Sequence, residues 1–106
     1  SYFNEMTYTN IFGDIIELTD ERWLHIIREH PEVSPHKERI QEILAKPDYV
    51  KKSSRDPEVL LYYKFYSNIF MGKYMLIVAK KGLRSFILSY YITDMIKKGV
   101  TLWEKK

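Results

Sequence analysis

Val59-Leu60-Leu61-Tyr62-Tyr63-Lys64-Phe65-Tyr66, Lys73-Tyr74-Met75-Leu76-Ile77-Val78-Ala79-Lys80 and Ser85-Phe86-Ile87-Leu88-Ser89-Tyr90-Tyr91-Ile92-Thr93 follow one another with only short breaks. Each run has the length of a strand and is rich in the β-branched and aromatic residues that suit a pleated, half-buried surface. The breaks at Asn68–Gly72 and Lys81–Arg84 carry turn residues and are too short for a crossover helix, so neighbouring strands are expected to be antiparallel. Tyr49–Ser54, ahead of Asp56-Pro57, supplies a fourth strand of the same kind.

Upstream the pattern is helical. Asp14–Leu18 is a short β-prone piece. Thr19 can then cap a helix, Asp20 and Glu21 suit its positive end, and Trp23, Leu24, Ile26, Ile27 and His30 follow at helical spacing. Pro31 stops that helix. Ser34-Pro35 opens a second one, whose stripe is Ile40, Ile43 and Leu44, and Lys46-Pro47 closes it. Downstream, Asp94–Lys98 reads as a short helical turn ending at Gly99, and the tail carries Trp103. The expected fold is α+β over residues 1–106, a single domain with N-terminal helices packed on a four-stranded antiparallel sheet.

The 106 residues include no cysteine, which excludes disulfides and thiolate metal sites. No apolar run approaches the roughly 20 residues of a membrane span, and no signal-peptide layout is present, so the expected location is the cytoplasm. The net charge is only +3 but is unevenly spread. Residues 1–50 hold five Lys/Arg against ten Asp/Glu (−5), and residues 51–106 hold twelve against four (+8). A basic half attracts polyanions such as RNA. Lysines that keep sheet edges soluble would produce the same excess.

Three groups of residues could carry chemistry. His25 and His30 lie in His25-Ile26-Ile27-Arg28-Glu29-His30-Pro31-Glu32. Helical geometry puts His30 in the middle of the apolar face and His25 on the polar side, and five residues is the wrong spacing for a shared metal ion. In the last run, alternation places Ile87, Ser89, Tyr91 and Thr93 on one face, a row with three hydroxyls able to hold phosphate oxygens. Lys64 shares a face with Leu60, Tyr62 and Tyr66, with Arg55 in the preceding turn, a pattern that suits phosphate neutralisation beside stacked bases. Each has an ordinary structural alternative: a core histidine, a half-solvated strand face and a snorkelling lysine.

In order, His25-Ile26 with His30-Pro31-Glu32, Pro47-Asp48, Ser54-Arg55-Asp56, Tyr62-Tyr63-Lys64, Lys73 through Val78, Phe86 through Tyr91, Thr93-Asp94, and Lys97-Lys98-Gly99 through Leu102-Trp103 resemble a phage- and bacteria-associated nuclease-like family of the barnase–EndoU–colicin–RelE superfamily. The resemblance runs from Gly13 onward. It implies a barnase/RelE-like fold and a metal-independent RNA endonuclease, toxin-like or RNA-processing, that needs no cofactor. The implied catalytic residues are His25 or His30 with Lys64, Ser89 and Tyr91, and Arg55 is the implied basic residue for substrate; Tyr63, Thr93 and Lys97 are further candidates for binding it. The family's threonine stands here as Ser89 and its small residue as Tyr90, which is expected to narrow the site. RNA is the implied partner, with a protein antitoxin or inhibitor as a second.

Such an enzyme deprotonates a 2′-hydroxyl, stabilises a crowded phosphorane and protonates the departing 5′-oxygen. Histidine is the natural proton carrier and a lysine or arginine the natural electrostatic partner. A non-catalytic RNA-binding or protein-interaction module on the same fold would show similar residues. So would a small regulatory subunit that pairs through its sheet edge.

Overall fold

The computed structural model describes residues 5–106. The three long runs form β4 (Val59–Tyr66), β5 (Lys73–Lys80) and β6 (Ser85–Thr93), with β3 (Tyr49–Lys52) ahead of them, each antiparallel to the next. That meander agrees with the alternation of its side chains.

The sheet does not end there. Among the described residues it has seven strands in the order β1-β2-β6-β5-β4-β3-β7. The hairpin of β1 (Glu5–Thr9) and β2 (Ile15–Thr19) extends one side, and β7 (Thr101–Glu104) pairs with β3 on the other. Strand β2 runs parallel to β6 for only two pairs, Ile16–Ser85 and Glu17–Phe86, so the sheet is mixed.

The helices are correspondingly small. Helix α1 (Asp20–Glu29) has ten residues and α2 (Ile40–Ala45) six. Pro31–Arg39 between them is a kinked 3₁₀ stretch rather than the start of a second α-helix. Asp94–Gly99, expected to make a helical turn, is irregular. The expectation of N-terminal helices on a four-stranded antiparallel sheet is therefore overturned: the protein is mostly β, a mixed seven-stranded sheet carrying two short helices. The physical reason is that the flanking segments, too polar or too short to look like strands alone, gain their hydrogen bonds by adding to edges that already exist.

The helices cover one face, called here the inner face. Thr19 caps α1 by accepting the Arg22 amide at 3.1 Å. Trp23 and Ile26 of α1, Val33, and Ile40, Ile43 and Leu44 of α2 bury against Leu60, Tyr62, Tyr66, Met75, Ile77, Ala79, Ile87 and Tyr90. Each fully buried Ile or Leu contributes about 1.5–3 kcal/mol relative to exposure. The buried Asn10 organises the β1–β2 turn: its Oδ1 accepts the Phe12 and Asp14 amides, and its Nδ2 donates to the Tyr62 hydroxyl at 2.9 Å. No described helix is long and apolar enough to cross a membrane.

Candidate nucleic-acid interface

Side chains alternate along a strand, so the residues between those of the core project from the outer face, which carries no helix. Following the register, one row runs Tyr49–Tyr63–Leu76–Tyr91, the next Lys51–Leu61–Val78–Ser89, and a third Phe65–Tyr74–Thr93. Val59, Leu61, Tyr63 and Leu76 are buried there in a second apolar cluster, flanked by Tyr49, Tyr74, Val78, Leu88, Tyr91 and Ile96.

The alternation in β6 is broken once. Val78 pairs with Ser89 and Ala79 with Ile87, leaving Leu88 as the extra residue of a bulge. Ser89, Tyr91 and Thr93 share the outer face as expected, but Ile87, expected beside them, is fully buried in the inner core. Tyr90, expected to narrow the site, also points inward, where its hydroxyl donates to the His36 carbonyl at 2.8 Å. Burial drives its pKa upward.

Residues 94–100 leave β6 and cross the outer face. Thr93 starts the crossing by accepting the Met95 amide at its hydroxyl, 3.2 Å away. Ile96 packs on the second cluster, and the Lys97 amide donates to the buried Tyr63 hydroxyl at 3.0 Å. Burial raises the Tyr63 pKa, the Lys97 amide opposes this, and the nearby Tyr91 adds to it. Gly99 (φ +151°) then passes so close to β3 that a Cβ there would lie 2.4 Å from the Lys52 carbonyl oxygen, an approach only glycine permits.

Between this segment and the β3–β4 turn lies a groove of about 320 Å³. Val59, Leu61 and Val78 form its floor, and Ser53, Ser54, Arg55, Lys97 and Lys98 its walls. The three cations are exposed, and no ion pair among the described residues involves them. Ser89 pairs with Val78 of the floor and stands one strand further toward β6.

Beyond Ser89 is His30. It was expected in the middle of an apolar helical stripe, but it is the residue at which α1 ends, with non-helical angles (φ −131°, ψ 70°). Because β2 pairs with β6 only at its start, α1 lies beside the rest of β6: Trp23 meets Tyr90 on the inner face, and His30 meets Tyr91 on the outer one. The His30 and Tyr91 rings stack with centroids 4.9 Å apart and planes at 24°. His30 Nδ1 lies 3.8 Å from a Glu32 carboxylate oxygen, and the imidazole is 32% exposed.

The outer face thus gathers His30, Tyr91, Ser89, Thr93, Tyr63, Arg55 and Lys97. It does not gather Lys64 or His25. Lys64 projects from the inner face beside Tyr62 and Tyr66, and its ammonium donates to the Lys46 carbonyl at the end of α2, 2.7 Å away. Its place is that of a cation closing a helix C-terminus. His25 is exposed on α1 and pairs with Glu29 one turn on, at 2.9 Å.

Sequence reasoning missed Lys98, Glu32, Tyr49, Tyr74 and Phe65. The signal was available in the alternation that grouped Lys64 with Tyr62, since it assigns Tyr63 and Phe65 to the opposite face. His36 has a structural place, its Nδ1 accepting from Arg39 Nε at 3.2 Å. A larger hollow of about 420 Å³, lined by Asp14, Glu17 and Lys81–Ser85, lies where β2 meets β6. Its Arg84 is already paired with Glu5 and Glu17, and Asp14 and Glu17 line it beside Lys81, so the hollow is not a cationic site like the groove. No three His, Cys, Asp or Glu residues converge as metal ligands among the described residues. No family model, curated protein or solved structure matches the chain.

Proposed function

We propose that the protein binds RNA on its outer face and cleaves it by metal-independent 2′-hydroxyl transesterification. One observation carries the reading: a partly exposed histidine, stacked on Tyr91, shares a helix-free sheet face with a groove walled by three cations that no described ion pair involves. Ser89 lies between the two, and two strand spacings of about 4.8 Å separate the groove floor on β4 from β6.

In this reading Arg55, Lys97 and Lys98 hold the phosphate and stabilise the charge that grows on the phosphorane. The Tyr91 ring fixes the imidazole plane, and Glu32 faces Nδ1, leaving Nε2 for substrate. Histidine ordinarily titrates nearest neutrality, so it suits both halves of the proton transfer. His30 takes the 2′-hydroxyl proton as that oxygen attacks phosphorus. The bond from phosphorus to the 5′-oxygen breaks, and the imidazolium returns its proton to the departing oxygen. The products are a 2′,3′-cyclic phosphate and a 5′-hydroxyl, and the cytoplasm is the natural place for such an activity.

The test is incubation with an end-labelled RNA pool in excess chelator. Cleavage leaving cyclic phosphate ends should occur, and His30→Ala should slow it about 10²–10⁴-fold, the usual contribution of a general acid or base. Since His30 is partly exposed and keeps its backbone bond to Ile26, the variant should stay folded. Cleavage that stops in chelator and resumes with a divalent ion refutes the mechanism. A second reading draws support from Lys64 and His25, neither of which joins the outer face, so that His30 is the only histidine there among the described residues. An RNA-binding module without turnover would retard the same RNA on a gel and leave it whole.

A further inference from the structure

Phe65 of β4 keeps a well-exposed aromatic ring on the outer face, at 47%. Such a ring is ordinarily free to move, but this one is held. The Asp48 carboxylate accepts the Phe65 backbone amide at 2.7 Å, ahead of the point where β3 begins. Gly72 (φ +100°) lies beneath the ring, and a Cβ there would meet Phe65 Cζ at 3.0 Å. Tyr74, its partner across the ladder, packs on it in a T-shaped arrangement with centroids 5.4 Å apart.

Tyr74 is also the hub of edge contacts with Tyr63 (6.1 Å) and Tyr49 (6.4 Å). Tyr49 and Tyr74 are half-buried, whereas Phe65 is exposed. Phe65 lies four residues along β4 from Leu61 of the groove floor, about 13 Å at strand rise.

Resting on the RNA reading above, we propose that Phe65, Tyr74 and Tyr49 form a base-stacking platform that restricts the substrate to unpaired RNA. Two features point to this occupant. A fixed aromatic surface has already lost the side-chain entropy that stacking a base would cost. It also lies on the same face as those three cations, the pairing of stacking surface and phosphate groove that single strands require. A duplex keeps its base faces stacked on each other and has none to offer. Residues 94–100 cover Tyr63 between the groove and Phe65, so a strand bound at Arg55, Lys97 and Lys98 passes over that segment before its next bases reach Phe65.

The test uses 2′-O-methyl RNA 12-mers, which this chemistry cannot cut, as a dye-labelled single strand and as a perfect duplex, read by fluorescence anisotropy. The wild type should bind the single strand at least tenfold more tightly. Phe65→Leu, which keeps an apolar side chain and removes the ring, should lose between about 5-fold and 100-fold in affinity for the single strand. Phe65→Tyr should restore it. The ring-proton resonances of Phe65 and Tyr74 in the wild-type protein should shift on adding the single strand, a measurement that needs no variant to fold. Tight single-strand binding that leaves those resonances and the Phe65→Leu affinity unchanged overturns the platform and points to a protein as its occupant. Equal affinity for the duplex also overturns it. If the wild type binds neither RNA, the RNA reading itself fails and the platform falls with it.

Discussion

Replacing Gly99 by alanine would place a methyl carbon 2.4 Å from the Lys52 carbonyl oxygen, where an ordinary carbon–oxygen contact is about 3.3–3.6 Å. The obstacle is backbone, so about 1 Å of main-chain movement is needed. That movement pulls on the Lys52 amide, which donates to the Val100 carbonyl at 2.8 Å, and on the Lys97–Tyr63 bond two residues earlier. An unfavourable φ costs about 1–3 kcal/mol. Each hydrogen bond lost adds about 0.5–1.5 kcal/mol, so with both lost Gly99→Ala should destabilise by roughly 2–6 kcal/mol. That is a large share of the 5–15 kcal/mol typical of a domain. Gly82→Ala is the control: its methyl would meet only the Arg84 carbonyl at 3.7 Å, and its stability should stay within about 0.5 kcal/mol of wild type. Urea unfolding of the three proteins gives the stabilities, and hydrogen exchange at the Lys97 amide reports whether the groove wall has lifted. A Gly99→Ala protein as stable as the Gly82 control, with Lys97 still protected, would refute the claim that this approach clamps the crossing segment.

Tyr63→Phe leaves the Lys97 amide without its acceptor and should cost about 1 kcal/mol in urea unfolding, with faster exchange at that amide. Lys64→Met removes only the cap on α2, so it should lower stability by less than about 1 kcal/mol and leave RNA cleavage unchanged, whereas a drop in turnover would return Lys64 to the site. His36 is held below the ordinary histidine range chiefly by burial, with Arg39 adding to that and Glu38 opposing it. A lowered folded-state value means that stability is complete above the unfolded value of 6.5 and is lost as pH falls below it. The thermal midpoint should therefore drop between pH 7 and pH 5, and His36→Asn should flatten that dependence.

The meander was legible because β4, β5 and β6 are long enough for strand composition and alternation to speak without help. β1 and β7 were not. Glu5–Thr9 and Thr101–Glu104 are short and largely exposed, and they become strands only by borrowing the edges of β2 and β3. The 3₁₀ stretch was misread because Ser34-Pro35 is also the ordinary opening of an α-helix. At the site, Ser89, Tyr91 and Thr93 were placed on one face, but strict alternation could not reveal the Leu88 bulge that sends Ile87 inward. Lys64 was grouped correctly with Tyr62 and Tyr66, yet no local pattern says which face a helix will cover. His30 shows the same limit: the helical wheel assigned it a direction, and Pro31 ended the helix before that direction applied.

The two-pair seam between β2 and β6 has a consequence for the order of assembly. Strands β3 to β6 are joined by short turns, so their contacts close small loops and can form early. The β1–β2 hairpin instead docks across more than 60 residues of sequence, onto Ser85 and Phe86, and holds by two rungs and the packing of α1 and α2. Residues 5–45 should therefore join late. In native-state exchange their amides should open together at a free energy below that of the meander.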